Sequence, residues 1–279
     1  MDTVETKDFG TQPIVHRDCP HCVRDNDAVA PSRYSHEPWH IKECTGCGFD
    51  YIDRALRYEA QFEAMAWERT TKIEEQRRAE LRPISYKASK RTRFRMHLLP
   101  KRTMHGYIAG RIAGGNVLDL GCGDGAPLLS FPTSFTPFGI EISSALAAKA
   151  DTAFRARGGY AINAPCVEGL RHLPEGFFAA ASLRSYLEHE ADPLGVLQNL
   201  NRVLVQGSFA VVKVPNYGSL NRVVMGRRWC GFRYPDHLNY FTPKTLRAMA
   251  AKAGFATAFG VTGRLPTSDN MWAVLSKRG

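Results

Sequence analysis

An apolar run that carries an acid near its end and then breaks into alternating glycines leaves few folds open to a chain. Val117-Leu118-Asp119-Leu120 has the character of a buried strand, and Gly121-Cys122-Gly123-Asp124-Gly125 follows it as a G-x-G-x-G turn opening a helix. Glycines let the backbone approach a ligand closely, and a helix start adds unpaired amide N–H groups. The rest of the C-terminal part alternates short apolar runs with helical segments. Strands are expected over Asn116–Leu120, Thr136–Ile140, Gly159–Asn163, Phe178–Leu183 and Ser208–Val214. Helices are expected over Ser143–Arg157, Leu194–Val205 and Thr242–Gly254, the last with a threonine cap and a proline in its first turn. Such alternation predicts a parallel sheet covered on both faces. Phe255–Val261 and Met271–Ser276 predict a terminal antiparallel hairpin, which is not the usual ending of a dinucleotide-binding sheet.

The first fifty residues follow a different rule. Cys19-Pro20-His21-Cys22 and Cys44-Thr45-Gly46-Cys47 are two C-x-x-C knuckles separated by 21 residues, the arithmetic of a four-thiolate zinc site. Such a site has no open position and is structural. Chelation at structural zinc sites is worth about 10–16 kcal/mol in peptides, most of the folding energy of so short a module. His21, His36 and His40 lie near, but the cysteine set is complete without them.

The N-terminus, MDTVETKDFG, is acidic and polar rather than basic then apolar, so it does not read as a signal peptide. No uncharged apolar run of about 18 residues exists, so no membrane span is expected. A cytoplasmic location follows as the expectation, and there seven cysteines call for an explanation other than disulfides. The net charge of +10 fits phosphate- or carboxylate-bearing partners. Leu81–Leu118 contains no acid and nine lysines and arginines, including Arg82, Lys87, Arg93, Lys101 and Arg111. That stretch is either a solvated linker face or an anion-binding surface. His97 and His105 fall in it and read as surface residues.

With Ala126 the glycine loop also satisfies G-x-G-x-x-A, which admits a nicotinamide or flavin. Glu141, 22 residues after Asp119, ends the second strand, where a carboxylate can accept both ribose hydroxyls in either cofactor class. Asp119 discriminates. An acid immediately before the glycines would repel a pyrophosphate, yet it suits the cationic amino-acid part of S-adenosylmethionine.

At this point V-L-D-L-G-C-G-D-G resembles the first motif of class I S-adenosylmethionine-dependent methyltransferases, with Gly139-Ile140-Glu141 as the second. Tyr186-Leu187-Glu188-His189 with Asp192-Pro193 is similar to the family's motif after strand four. Asn201-Arg202-Val203-Leu204 through Val214-Pro215-Asn216 is similar to its approach to and exit from strand five. Trp229 with Pro235-Asp236-His237-Leu238-Asn239-Tyr240-Phe241 resembles a subgroup with an N-terminal zinc ribbon, often associated with modifying sugars, polysaccharides or secondary metabolites. The sequence departs from the family at Ala179, where an aspartate is common. It also lacks a cleanly placed acid after strand three, where Asn163 or Glu168 would serve the adenine.

The resemblance implies a Rossmann-like seven-stranded methyltransferase sheet with a terminal antiparallel hairpin, plus a small N-terminal zinc ribbon. The expected organisation is a zinc ribbon over 1–52, a helical, basic linker over 53–102 and an S-adenosylmethionine-binding methyltransferase domain over 103–279. The cofactor-binding set it implies is Asp119, Gly121, Cys122, Gly123, Gly125, Glu141, Ile142 and Tyr186, with Cys19, Cys22, Cys44 and Cys47 on zinc. A hydroxyl acceptor benefits from a base, and His189 and His237 are the catalytic candidates. Trp229, Asp236 and Tyr240, in an aromatic-rich insert after strand five, are expected to bind substrate. The expected reaction is O-methylation of a small molecule, a sugar, glycan or secondary metabolite, and the basic charge admits an anionic one. Two further readings are an RNA methyltransferase docking through the ribbon and basic stretch, and a non-catalytic zinc-ribbon binding protein.

Overall fold

The structure, a computed structural model, describes residues 14–56, 103–260 and 266–278. The linker expected from 57 to 102, with His97 and the basic stretch as far as Arg102, lies outside them.

Seven strands form the main sheet: β5 (Gly115–Leu120), β6 (Phe135–Glu141), β7 (Tyr160–Asn163), β8 (Phe178–Arg184), β9 (Leu204–Pro215), β11 (Phe255–Phe259) and β12 (Asn270–Lys277). Their order is β11-β12-β9-β8-β5-β6-β7. β5 to β9 are parallel, whereas β12 runs antiparallel to both β9 and β11. The expected seven-stranded sheet with its terminal hairpin is therefore present.

Period-two alternation splits the strands between two cores. Leu118, Leu120, Ala181, Leu183, Val212 and Val214 face one helical layer, with Leu197, Leu200 and Leu246 from the helices Pro193–Val203 and Pro243–Lys252. Val117, Ala180 and Val211 face the other, against Ile108, Ala150 and Phe154. The helix ends follow the sequence: Ser143 accepts from the Leu146 N–H, Asp192 from that of Gly195, and Thr242 exchanges bonds with Thr245 in a capping box.

The N-terminal part forms two small sheets. β1 (Ile14–His16) pairs antiparallel with β4 (Arg54–Leu56), so the expected helical linker is preceded by a strand at residues first read as its beginning. β2 (Ile41–Glu43) pairs with β3 (Asp50–Ile52), and β3 pairs in turn with β10 (Asn239–Tyr240), from the insert after β9. A third core, in which Tyr34, Trp39, Ile41 and Ile52 meet Tyr217, Trp229, Phe232 and Tyr240, joins the ribbon to that insert. The Arg17 guanidinium, 9% exposed, fixes the junction by donating to the Ile52 carbonyl (3.0 Å), the Ala191 carbonyl (2.9 Å) and Asn239 Oδ1 (3.2 Å).

Candidate functional site

The carboxyl ends of β5, β6 and β8 gather the expected cofactor-binding residues. Asp119 of β5 stands beside Ser182 of β8, because the parallel register pairs those two positions. The Ser182 hydroxyl donates to Asp119 Oδ1 at 2.6 Å. Burial pushes the Asp119 carboxyl up to about 7, against the opposing pull of Ser182 and of the Arg184 guanidinium. Glu141 closes β6. Its Oε2 accepts the Gly123 N–H and its Oε1 accepts the Ser143 N–H, each at 2.9 Å, so one carboxylate ties the glycine loop to the helix Ser144–Arg155. Each oxygen keeps a second lone pair for a ribose hydroxyl.

Gly123 has φ +57, and a Cβ built there meets nothing within 4 Å, so the loop presents an open backbone face at that point. Gly121 is backed by the Tyr186 ring, only 3.0 Å from where a Cβ would stand. The Cys122 thiol is buried against Gly139, so a ligand at the loop meets Cys122 through its backbone. Gly125 caps the short helix Ala126–Leu129, and the Tyr186 hydroxyl donates to Glu190. The Asn163 amide donates to the Glu141 and Ile142 carbonyls at 3.0 and 2.9 Å and so holds the turn after β6. Glu168 lines an open hollow with Pro165, Val167, Arg171 and Glu190. This constellation suits S-adenosylmethionine: a buried acid for a cationic group, a carboxylate for ribose, and an exposed glycine backbone between them.

The two expected histidines come together. The rings of His189 and His237 lie 4.7 Å apart at 82°. His189 Nδ1 donates to the Asp236 carbonyl and His237 Nδ1 to the Gly231 carbonyl, both at 2.8 Å. Since a carbonyl only accepts, each ring carries a proton on Nδ1. Burial, then the Arg233 guanidinium, hold His189 down to about 4, against the raising effect of Asp236. Asp236 thus positions His189 by its backbone, while its carboxylate lies 3.5 Å from Arg233.

Trp229 and Tyr240, expected to bind substrate, lie inside the protein. Both are 2% exposed inside the third core, and the Trp229 indole N–H donates to Asp269 at 2.8 Å. Their apolar area is spent on packing the insert against the ribbon. His105 is not a surface residue: it packs edge-on to Phe131 at 5.6 Å, and burial holds it down to about 4. Two residues without an assigned role in the sequence reading now gain one. Ser182 shows only as a small residue in a strand. Glu188, 1% exposed, lies beside both histidines, and burial pushes its carboxyl up to about 8. An acid next to a histidine just past a strand was the available signal for it.

At the other end, the Sγ atoms of Cys19 and Cys47 are 3.6 Å apart and those of Cys22 and Cys44 are 3.4 Å apart. All four lie within 4.8 Å of one another. Four sulfurs 2.3 Å from a central zinc ion would stand about 3.8 Å apart. The cluster therefore has zinc-ribbon-like proportions, and none of its thiols is in a disulfide.

A parallel sheet with this loop and carboxylate pair defines an α/β cofactor-binding enzyme. A family model described as a methyltransferase domain matches residues 74–258. The chain belongs to that family and is an S-adenosylmethionine-dependent methyltransferase. Among solved structures it is similar to an S-adenosylmethionine-dependent methyltransferase from Archaeoglobus fulgidus, with 18% identity, 62% of this chain and 90% of the other covered, and a TM-score of 0.48. It is also similar to a possible histamine N-methyltransferase from Thermotoga maritima, with 16% identity, 63% and 88% covered, and a TM-score of 0.47. No curated protein matches the chain. No helix among the described residues is long and apolar enough to cross a membrane.

Proposed function

We propose that the enzyme methylates a hydroxyl of a small acceptor, a sugar, glycan or secondary metabolite, and that Cys19, Cys22, Cys44 and Cys47 hold a structural zinc ion. The observation that carries the reading is the imidazole pair His189–His237, with His189 past the carboxyl end of β8 beside the β5 strand that leads into the glycine loop. When bound, S-adenosylmethionine supplies an electrophilic methyl group on a sulfonium. Asp119 balances its ammonium, Glu141 accepts its ribose hydroxyls, and Gly121, Gly123 and Gly125 let the backbone close on it. Tyr186, packed on Gly121, fixes the loop after β8 against the cofactor loop. The acceptor's hydroxyl proton leaves at the imidazole pair. His189, partly exposed and held neutral by burial, presents Nε2, while its Nδ1 bond to Asp236 sets the ring's direction. Holding the nucleophile in line supplies roughly 7–11 kcal/mol of the barrier.

The test is transfer of labelled methyl from S-adenosylmethionine into methyl-deficient host extract, with and without nuclease. Nuclease-resistant label in the small-molecule or glycan fraction is expected. Label lost with nuclease would overturn the acceptor assignment in favour of RNA, with the basic stretch as its docking surface.

A further inference from the structure

Glu188, His189 and His237 each offer one ligand atom, and the three atoms lie within 4.8 Å of one another. Both imidazoles are oriented as metal ligands usually are. The Nδ1–H of each is anchored on a backbone carbonyl at 2.8 Å, which fixes the tautomer and makes Nε2 the coordinating atom. Glu188 supplies an independent observation. Its carboxyl is 1% exposed, and Oε2 has no hydrogen-bond partner among the described residues. A buried carboxyl oxygen without a partner is a position that a bound cation would satisfy, ionising the carboxyl as it does so. The positive groups acting on it, Arg233 and Lys213, do not supply that bond.

We infer that Glu188, His189 and His237 form a binding site for a divalent transition-metal ion, with positions left open for an oxygen of the acceptor. Two imidazoles and one carboxylate suit zinc, iron(II), cobalt or nickel, whereas magnesium and calcium take all-oxygen shells. Ligands about 2.1 Å from one ion stand roughly 3–4 Å apart, so the three atoms would draw closer together on an ion. Three protein ligands leave coordination open, the mark of a catalytic rather than a structural site. The location agrees. Glu188 and His189 follow β8 directly, and Tyr186, two residues before Glu188, packs on Gly121 of the cofactor loop. This rests on the acceptor side proposed above and changes the role of the imidazoles there: with Nε2 on the ion they would hold it against the acceptor hydroxyl, whose lowered pKa would let its proton leave to water instead of to His189.

The experiment is a cobalt(II) titration of the full-length protein after removal of its metals, followed by absorption spectroscopy. Two equivalents are expected. One gives the thiolate-to-cobalt charge-transfer band of the four cysteines, and the other gives ligand-field bands with no thiolate component. Glu188→Gln and His189→Ala should each weaken the second equivalent by about 100-fold or more while keeping the thiolate band, which reports that the chain is folded. Wild-type protein that shows the thiolate band and no thiolate-free equivalent overturns the inference without recourse to any variant, and so does a thiolate-free equivalent that persists in both variants. Calorimetric binding of S-adenosylmethionine and methyl transfer are measured on the same samples. Methylation without a second equivalent removes the metal site and leaves the methyltransferase reading standing. A second equivalent without methylation of any hydroxylated acceptor keeps the metal site and removes the hydroxyl-acceptor reading.

Discussion

Replacing Arg17 by Ala should separate the ribbon from the acceptor side of the enzyme while leaving the cofactor loop intact. The guanidinium donates to three well-placed acceptors on three segments: Ile52 of the ribbon, Ala191 of the loop after β8, and Asn239 of β10. A fourth contact, to the Leu238 carbonyl, is 3.5 Å long and counts for little. Burial lowers the guanidinium only to about 10, so it is charged at neutral pH and its bonds are charge-assisted. Leaving a buried acceptor unmade costs about 1–3 kcal/mol. Three acceptors give a gross loss of roughly 3–9 kcal/mol, and water entering the vacated space brings the expected loss to the lower half, about 3–5 kcal/mol. For a chain of this size that is a fall in melting temperature of roughly 5–10 °C, read by differential scanning calorimetry. Binding of S-adenosylmethionine, measured by titration below the transition, should change less than about threefold, because Arg17 touches neither Asp119 nor Glu141. A loss under 1 kcal/mol would refute the reasoning, and so would a loss of cofactor binding equal to the loss of stability.

Two pH effects follow from buried groups. Since Asp119 titrates near 7 without ligand and must be ionised to balance an ammonium, affinity for S-adenosylmethionine should fall about tenfold per pH unit below 7 and level off above it. A flat affinity between pH 6 and 8 in calorimetric titrations would show that Asp119 does not carry this contact, and Asp119→Asn should abolish whatever pH dependence is seen. His105 acts on stability. Its folded value of about 4 lies below the unfolded 6.5, so between them the unfolded chain binds more protons and stability rises with pH. The contribution is complete above about pH 7 and falls by about 2 kcal/mol on going to pH 5. From urea unfolding, the stability of the wild type relative to His105→Phe should therefore drop by that amount as the pH falls; parallel profiles would contradict the burial of the imidazole.

Much of the main sheet could be read from the chain because its strands carry the signal themselves. Apart from Asp119 and Lys213, Val117 to Leu120 and Phe209 to Val214 are apolar on both faces, as a strand buried between two helical layers must be, and glycines or capped helices bound most of the runs. The caps at Ser143 and Thr242 depend only on neighbouring residues, so local sequence specifies them. The cysteine cluster was legible for the same reason. What escaped depends on distance. β10 has two residues, too few for a period, and its partner Tyr51 is remote in sequence. An aromatic residue that packs an insert also looks the same in sequence as one that grips a ligand, which is why Trp229 and Tyr240 were read as substrate contacts. His105 was assigned to the surface by its basic neighbours, although Phe131, 26 residues on, is what covers it.

The pairing of β3 with β10 changes what the ribbon does for the enzyme. The cysteine knuckles hold the turns around β2 and β3, β3 carries β10 at its edge, and Asp236 and His237 immediately precede β10 in the chain. Asp236 in turn orients His189 through its carbonyl, so an unbroken path of covalent chain and hydrogen bonds runs from the ribbon to the proposed acceptor site, beside the apolar packing of the third core. The Phe49–Phe241 contact at 5.1 Å and the Lys252 bond to the His21 carbonyl at 2.7 Å fix the same relation from the side of the last helix. None of these links touches the glycine loop, Asp119 or Glu141. Folding of the ribbon therefore bears on where the acceptor sits and on its proton, while the cofactor half is held by the parallel sheet and its own carboxylates.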